Sequence, residues 1–479
     1  MSALRDLEIE VLKTLAYAGP YPSAWVPDRK GVDHAVTIVG AGQSGLAAAF
    51  ALQRRGIQAI LLDAEEEGSE GVWRLRARMP TLRTPKDRPG PELGVAPLSY
   101  RAWYSAQYGA QAWNEIVRPE RQSWAEYLTW YRKILGLKVR HKTRLVRVDE
   151  QGHNLKLTLE SQGQTSVLVT RKLVLAMGPS AGGGLNIPAI ISDIVPRNLY
   201  AHTDEFIDFK ALAGKHIGIL GASASGFDAA STALEEGAHS ARLFCRASDL
   251  ARGTRYRWAD YPGADYFHLL PDADRWRVAR LYLARGNHPP ATAISRAMAT
   301  KGVSLHLGAP WRCLEMDGNR IRVHSGDEAY NFDYIIAATG FRHDPTLATY
   351  LASLVPNIAR WKNRFSPPPD ERDPVMENYP YLGDCFQFQE NDKGKSPCIE
   401  NIHVLNTTAL LGFLRIVGDI KCLGFTSERL ANGIVRDLFL ADKCHHLNVL
   451  SAPPIEELTA SEYAPLVWGG LPPWPDPTG

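Results

Sequence analysis

A glycine-rich turn near the start of the chain has the residue types and the spacing that phosphate binding requires. In "VTIVGAGQSGLAAAFAL", from Val36 to Leu52, an apolar strand runs into the turn and an alanine-rich helix follows it. Gly40 permits a tight bend, Gly42 lets the backbone approach a pyrophosphate, and Gly45 lets the helix pack closely on the strand. The turn therefore predicts a dinucleotide-binding site at the end of this strand.

Two neighbouring features favour the same prediction. Gln43 and Ser44 begin the helix, whose free N–H groups and partial positive charge would face the phosphates. Asp63 ends the second strand, near the offset of about 20 residues at which an acid accepts hydrogen bonds from a ribose diol. A cofactor with an unphosphorylated adenosine ribose fits this turn.

A second glycine-rich turn lies far downstream, in "HIGILGASASGFDAA" from His216 to Ala230. Gly221, Ser223, Ser225 and Gly226 occupy the positions of a similar motif, with serine in place of the middle glycine. A small hydroxyl side chain still permits the close approach of a pyrophosphate. The chain is therefore expected to bind a second dinucleotide.

The residue that follows the second strand of this unit is basic. Arg246 in "RLFCRAS" stands where the first unit has Asp63, and an arginine there suits a 2′-phosphate. An ordinary surface arginine at the end of a strand is the alternative. Three arginines in the next turn could share the role: Arg252, Arg255 and Arg257. A free ribose at one turn and a phosphorylated ribose at the other fit FAD and NADPH.

The elements that position these turns are two strand–helix–strand units. Their first strands, "AVTIVG" and "KHIGILG", are continuous apolar runs typical of parallel strands buried on both faces. The expected fold is α/β, with two Rossmann-like dinucleotide-binding domains, the second inserted in the first. The expected parts are an N-terminal helix and connector (1–33), an FAD-binding domain in two parts (34–185, and 333–479 with a C-terminal helix), and an NADPH-binding domain (186–332).

The bulk properties exclude other classes of protein. A formal net charge of +2 gives no overall field that would attract nucleic acid or an anionic membrane. No apolar run approaches the ~20 residues that span a bilayer, and the acidic start does not read as a signal peptide, so a cytoplasmic location is expected. The six cysteines form no CxxC pair, which argues against a structural zinc site and a redox-active dithiol.

Two further segments extend the pattern of the glycine turns. "EGVWRLRARMPTLRTP" contains Trp73 and Pro80, and "DYIIAATGF" contains Thr339 and Gly340. Together with the turns they resemble the flavin-dependent monooxygenases that hold FAD and NADPH in two Rossmann domains. That group includes flavin-containing monooxygenases, Baeyer–Villiger monooxygenases and N-hydroxylases. The first segment resembles its GGxW and Tyr-Pro-x-Leu stretch, with Glu70 in place of the first glycine, and the second resembles its ATG motif.

The resemblance implies a reaction. NADPH reduces the flavin, O₂ adds to give a C4a-peroxyflavin, and NADP⁺ stays bound to shelter it from water. One oxygen atom is then inserted into a small organic substrate by N- or S-oxygenation or by Baeyer–Villiger oxidation. An NADPH oxidase or a quinone-type reductase without oxygen insertion is the alternative, and a homodimer is left open. A disulfide reductase shares the body but needs a cysteine pair beside the flavin, which the segment after Asp63 lacks.

The resemblance defines the catalytic residues less well. Where its members carry an Asn or Asp beside the flavin, this chain has Pro85, so Arg83 and Lys86 are either hydrogen-bond donors to the flavin or surface cations. His202 in "PRNLYAHTDEF" matches a fingerprint that introduces the NADPH domain, as a catalytic residue or as a linker histidine that fixes the hinge. Asp419 in "IVGDIK" lies beside the flavin or caps the helix that follows it.

Overall fold

The computed structural model describes residues 3–18, 21–253 and 261–469. Arg255 and Arg257, two of the arginines expected to share the 2′-phosphate role, lie outside these residues. Separate hydrophobic cores surround the two glycine turns, so that each turn belongs to a unit of its own. Among the described residues, no helix combines the length and the apolar character needed to cross a membrane.

Both units contain strands and helices. The strands of the described residues are β1 (His34–Val39), β2 (Ile60–Leu62), β3 (Val139–Arg140), β4 (Arg144–Gln151), β5 (Asn154–Ser161), β6 (Gln164–Leu175), β7 (Gly184–Leu185), β8 (Tyr200–His202), β9 (His216–Leu220), β10 (Ser240–Phe244), β11 (Val303–His306), β12 (Trp311–Asp317), β13 (Arg320–Ser325), β14 (Glu328–Phe332), β15 (Tyr334–Ala337), β16 (Phe341–Arg342) and β17 (Ile402–Val404). The helices are α1 (Ala3–Tyr17), α2 (Gln43–Gln53), α3 (Tyr100–Tyr108), α4 (Ala110–Glu115), α5 (Arg121–Ile134), α6 (Ala189–Ser192), α7 (Ala224–Glu235), α8 (Asp272–Ala284), α9 (Ala291–Met298), α10 (Pro374–Glu377), α11 (Leu410–Phe413), α12 (Leu423–Ala441), α13 (Lys443–Leu450) and α14 (Ala460–Tyr463).

The first sheet carries the first glycine turn. Its strand order is β3-β2-β1-β6-β5-β4, and β17 pairs with β6 as well. β1 runs parallel to β2 and to the C-terminal half of β6, whereas β4 and β5 form an antiparallel meander with the rest of β6. Thr37 and Ile38, whose side chains point to opposite faces of β1, are both fully buried, so both faces of this strand are covered. The turn leaves β1 at the carboxyl edge of the parallel strands.

The second sheet carries the second turn and is parallel throughout. Its strand order is β11-β10-β9-β15-β8, and β12 to β14 form a separate antiparallel sheet beside it. β15 lies between β9 and β8, where Ile335 and Ile336 are fully buried. The boundary predicted at 332 therefore falls inside the second unit, because β15 needs these two partners to bury its apolar residues. The chain rejoins the first sheet only at β17.

The chain enters and leaves the second unit side by side. β7 and β16 pair in an antiparallel ribbon, with Leu185 opposite Phe341. The segment at about 250–300 forms a second link between the two units, and it is mostly helical over its described residues. Trp276 on α8 packs against Trp361 with ring centroids 5.9 Å apart, so this segment bridges the units as a packed helix.

The two ends of the chain cover the first unit. The predicted N-terminal amphipathic helix is α1, which buries Leu7 and Val11 against the first core. The long helix that follows Asp419 is α12, and its buried face includes Leu430 and Ile434. α13 and α14 come after it, so the single C-terminal helix of the prediction is followed by two shorter ones.

Candidate active site

The first glycine turn has no room for side chains at its outer glycines. Gly40 has φ +99°, and a Cβ there would lie 2.4 Å from the carbonyl oxygen of Ala176. A Cβ on Gly45 would lie 1.9 Å from the carbonyl oxygen of Gly40, so only glycine lets α2 pack against β1. Gly42 faces Gly71 of the Trp73 segment, whose Cα would be 3.3 Å from a Cβ at position 42. The turn has the tight geometry that the sequence predicts.

The start of α2 fits the pyrophosphate of a dinucleotide. Gly42 precedes the helix and no side chain caps it, which leaves the first N–H groups, at Gln43 and Ser44, without an intrahelical partner. Asp63 lies at the end of β2, and its carboxylate accepts the N–H of Ala41 at 2.7 Å and that of Glu65 at 2.9 Å. Burial raises the pKa of Asp63, and these two hydrogen bonds oppose the shift.

The second turn repeats this geometry. Gly221 has φ +114°, and a Cβ on Gly226 would lie 2.3 Å from the carbonyl oxygen of Gly221. Ser223 precedes α7 without a side-chain cap, and within the described residues neither its hydroxyl nor that of Ser225 forms a hydrogen bond. The helix start and both hydroxyl groups thus fit a second pyrophosphate. Arg246 lies two residues after the end of β10, is exposed, and forms no ion pair with another described residue.

Asp419 lies against the first turn. Gln43 Nε2 donates to the carbonyl oxygen of Gly418 at 2.8 Å, and Ser44 faces the same glycine. The Asp419 carboxylate accepts the N–H of Ile420 at 2.9 Å and caps the short 3₁₀ turn that leads into α12. Burial raises its pKa, against the opposing charge of Lys421. Asp419 therefore both caps this 3₁₀ turn and lies beside the first glycine turn.

The segment after β2 crosses from the first unit to the second. Trp73 is half-buried, and its carbonyl oxygen accepts a hydrogen bond from Arg121 at 3.0 Å. Arg83 Nη2 lies 3.0 Å from the carboxylate of Asp228 on α7. Lys86 Nζ lies 2.5 Å from the carbonyl oxygen of Trp113. The two candidate donors therefore face different surroundings, one between the units and one against α4.

His202, Thr339 and Gly340 lie together at the hinge between the units. Thr339 Oγ1 donates to the carbonyl oxygen of Asn186, and the N–H of Asn186 donates to the carbonyl oxygen of Gly340 at 3.0 Å. His202 is buried on β8, with its ring 5.6 Å from that of Phe341. Burial lowers the pKa of His202, and the Gly340 carbonyl opposes the shift. These contacts fit a linker histidine that fixes the hinge, and a catalytic role for His202 stays a prediction.

Sequence reasoning missed the residues that join the two units. Asp228 is 6% exposed as a side chain and also faces Arg296 on α9 at 3.8 Å. Arg78 donates to the carbonyl oxygens of Thr203 and Glu205, the latter at 2.7 Å. The one available signal is an acidic residue two positions after the second glycine turn, on a helix start that otherwise favours anions.

The sequence matches one family over both units. The profile of the pyridine nucleotide–disulphide oxidoreductase family matches residues 34–357, and the chain belongs to that family. The FAD-dependent urate hydroxylase of Xanthomonas campestris pv. campestris is 38% identical over 441 residues, which cover 90% of this chain and 92% of that protein. All six cysteines are free, and the first of them is Cys245, so a disulfide beside the first turn is absent despite the family's name.

Solved structures share the fold at low identity. The reduced form of ornithine hydroxylase from Pseudomonas aeruginosa has a TM-score of 0.66 and 16% identity, covering 85% of this chain and 100% of that one. The ornithine N-hydroxylase of Kutzneria sp. 744, with reduced FAD, NADP⁺ and L-ornithine, has a TM-score of 0.64 and 14% identity, covering 84% and 99%. The comparisons confirm the α/β fold, the resemblance to flavin-dependent monooxygenases, and the expectation of an oxidoreductase. FAD and NADP⁺, the expected cofactors, are bound in a protein of the same fold.

Proposed function

We propose that this chain is an NADPH-dependent FAD monooxygenase that inserts one oxygen atom of O₂ into a small, nitrogen-bearing organic substrate. The observation that carries the proposal is the pair of glycine turns. Each lies at the carboxyl edge of a parallel sheet and opens a helix whose first N–H groups no side chain caps. The 38% identical relative is an FAD-dependent hydroxylase of urate, and a protein of the same fold holds reduced FAD and NADP⁺.

Each cofactor has its own set of residues in this proposal. FAD lies on the first unit and on the C-terminal part that returns to it, and NADPH lies on the second unit. The FAD residues are Gly40, Gly42, Gln43, Ser44, Gly45, Asp63, Trp73 and Asp419, and the NADPH residues are Gly221, Ser223, Ser225, Gly226 and Arg246, with Thr339 and Gly340 between the two. The flavin, once reduced by NADPH, supplies the activation of O₂.

The protein contributes binding, orientation and exclusion of water. The uncapped helix starts bind the two pyrophosphates, Asp63 accepts hydrogen bonds from the FAD ribose, and Arg246 pairs with the 2′-phosphate of NADPH. Arg83 and Asp228 hold the two units together, which positions the nicotinamide for hydride transfer. Exclusion of water around the reduced flavin would limit the wasteful release of peroxide.

The test is a balance of electrons and oxygen with the purified holoenzyme. NADPH is expected to bleach the flavin absorbance under argon, and the readmission of air with substrate is expected to yield one hydroxylated product per NADPH with little peroxide. Urate is the first substrate to test. If NADPH bleaches the flavin but every electron pair appears as peroxide with all substrates tried, the chain is an oxidase. If NADPH does not bleach the flavin, the electron-donor assignment fails.

A further inference from the structure

An open cleft lies beneath the segment 84–90, which follows the predicted flavin-proximal position. Its volume is about 320 Å³, near the lower end of the range for small-molecule sites. The floor is aromatic, with Tyr100 5% exposed, Trp113 4% exposed and Trp124 2% exposed. Such a floor matches a flat ring system in size and in character.

Two cations stand over the same indole ring at the rim of this cleft. Lys86 Nζ lies 5.0 Å from the centroid of the Trp113 ring, and Arg101 Cζ lies 5.8 Å from it. In the described part of the chain neither cation has a carboxylate within ion-pair distance. Lys86 contacts only neutral oxygens, the carbonyls of Trp113 and Asn114. Both positive charges are therefore free to meet an anionic ligand.

The acidic residues at the cleft do not neutralise these cations. Both oxygens of the Glu92 carboxylate accept the N–H of Gly90, at 3.0 Å and 2.8 Å. Burial raises the pKa of Glu92, which disfavours its negative charge. Asp87 also lines the cleft and is exposed. The exposed Arg88 lines the cleft as well, so the cationic residues of the cleft outnumber its acidic ones.

The cleft adjoins the first glycine turn. Trp124 Nε1 donates to Gln43 Oε1 at 3.2 Å, and Gln43 in turn holds the carbonyl oxygen of Gly418. Ile420, which follows Asp419, forms part of the cleft wall. Trp124 and Ile420 of the cleft wall are therefore in contact with, or next in sequence to, Gln43 and Asp419 of the proposed FAD site. A small ligand in the cleft would lie beside that site.

We infer that this cleft binds the substrate, and that the substrate is a planar, anionic aromatic heterocycle. Its ring system lies over the aromatic floor, and its negative charge faces Lys86 and Arg101. The inference rests on the proposed function and deepens it by naming the site and two specificity-determining residues. Arg101 and Trp113 belong to elements that carry no cofactor motif, so the sequence pattern alone gives no reason to select them.

The test measures binding to the oxidised holoenzyme without NADPH, so that no turnover occurs. The probe is urate, titrated by calorimetry, with neutral caffeine and non-aromatic acetate as comparison ligands. Urate is expected to bind far more tightly than either one, and Arg101→Gln and Lys86→Met are each expected to weaken it at least about tenfold. Arg101→Lys should restore part of the loss. Arg312→Gln and Lys395→Met change exposed cations elsewhere and should leave the urate affinity unchanged.

Three outcomes would overturn the inference. Both cleft variants could bind urate as tightly as the wild-type enzyme does, or caffeine could bind as tightly as urate. Lys86→Met could also lose FAD while its remaining holoenzyme binds urate normally, which would assign the cleft to the cofactor. The proposed function fails separately. If the wild-type enzyme binds urate as expected but inserts no oxygen into any substrate, the cleft remains a binding site and the monooxygenase assignment is lost.

Discussion

The residue that follows the second strand of each unit distinguishes the two cofactor sites. Asp63 is buried and held by two backbone N–H groups, so its position is fixed before any cofactor binds. Arg246 is exposed and unpaired among the described residues, so its guanidinium is available to a phosphate. The acid suits a ribose diol and the cation suits a 2′-phosphate.

Replacing Arg246 should change which nicotinamide cofactor the enzyme prefers. We expect Arg246→Ala to raise the KM for NADPH about 10- to 100-fold, because a charge-assisted hydrogen bond contributes about 1.5–3 kcal/mol. The KM for NADH should change little. Steady-state NADPH and NADH oxidation measure both values, and Arg312→Ala, an exposed arginine on β12, is the control. An equal rise for both cofactors would contradict the 2′-phosphate role.

His343 makes the stability of the fold depend on pH. Its ring is buried beside the hinge ribbon, where Nε2 lies 3.1 Å from Thr407 Oγ1 and Nδ1 lies 3.2 Å from Thr408 Oγ1. Burial lowers its pKa to about 4, against about 6.5 in the unfolded chain. Protonation therefore favours the unfolded state. The contribution of His343 is fully present above pH 6.5 and is lost as the pH falls towards 4.

Removing this histidine should flatten the pH dependence of unfolding. Between pH 7 and pH 5 we expect His343 to cost the wild-type protein about 2 kcal/mol of unfolding free energy, from a slope of about 1.4 kcal/mol per pH unit. Urea titrations of wild type and His343→Gln at both pH values give the difference. His324→Gln, which changes a histidine on β13 whose side chain is 36% exposed, is the control. If His343→Gln loses as much stability as the wild type, the buried neutral state of His343 is refuted.

At the scale of elements, the sequence predicts the strands and helices that flank the two glycine turns, because these turns require particular backbone angles. The two strand–turn–helix units can be predicted from glycine spacing and apolar runs. Gly40 and Gly221 adopt a positive φ, and the backbone at Gly45 and Gly226 lies too close to a carbonyl oxygen for any side chain. β15 was placed outside the second unit, because the pairing partner of a buried strand is set by tertiary packing. The aromatic cleft at Trp113 was missed because residues distant in sequence form it.

The packing of α7 on β9 should be essential for the second cofactor alone. A Cβ on Gly226 would lie 2.3 Å from the carbonyl oxygen of Gly221, and backbone cannot move aside as a side chain can. We expect Gly226→Ala to raise the KM for NADPH at least about tenfold, because the helix start moves away from the pyrophosphate. FAD content, measured by absorbance, should stay at the wild-type level. Gly424→Ala places a methyl group on α12 with no atom within 4 Å and is the control. Loss of FAD from the Gly226 variant would show that the units are not independent.

At the scale of the whole molecule, the segment that follows β2 joins the two cofactor units. Arg78 reaches the carbonyl oxygens of Thr203 and Glu205 in the second unit, and Arg296 of that unit donates back to the carbonyl oxygen of Arg78 at 2.9 Å. Together with the hinge ribbon, these contacts hold the two units against each other. In the proposed function, the distance between the two cofactors would therefore depend on side chains that bind neither pyrophosphate.

Variants of Arg83 distinguish a role in holding the two units together from the alternative, in which Arg83 donates a hydrogen bond to the flavin. Asp228 is almost wholly buried; burial raises its pKa, and Arg83 lowers it. Without Arg83, Arg296 at 3.8 Å is the remaining ion-pair partner of the carboxylate among the described residues. We therefore expect the two units to separate more readily in Arg83→Ala. Stopped-flow measurements at saturating NADPH should show flavin reduction slowed about tenfold, which corresponds to about 1.4 kcal/mol of activation free energy. Asp228→Asn should slow it similarly, and the double variant should be no slower than either single variant, because both lose one interaction. A donor beside the flavin predicts the opposite pattern, in which reduction keeps its rate in Arg83→Ala, peroxide replaces hydroxylated product, and Asp228→Asn behaves as wild type.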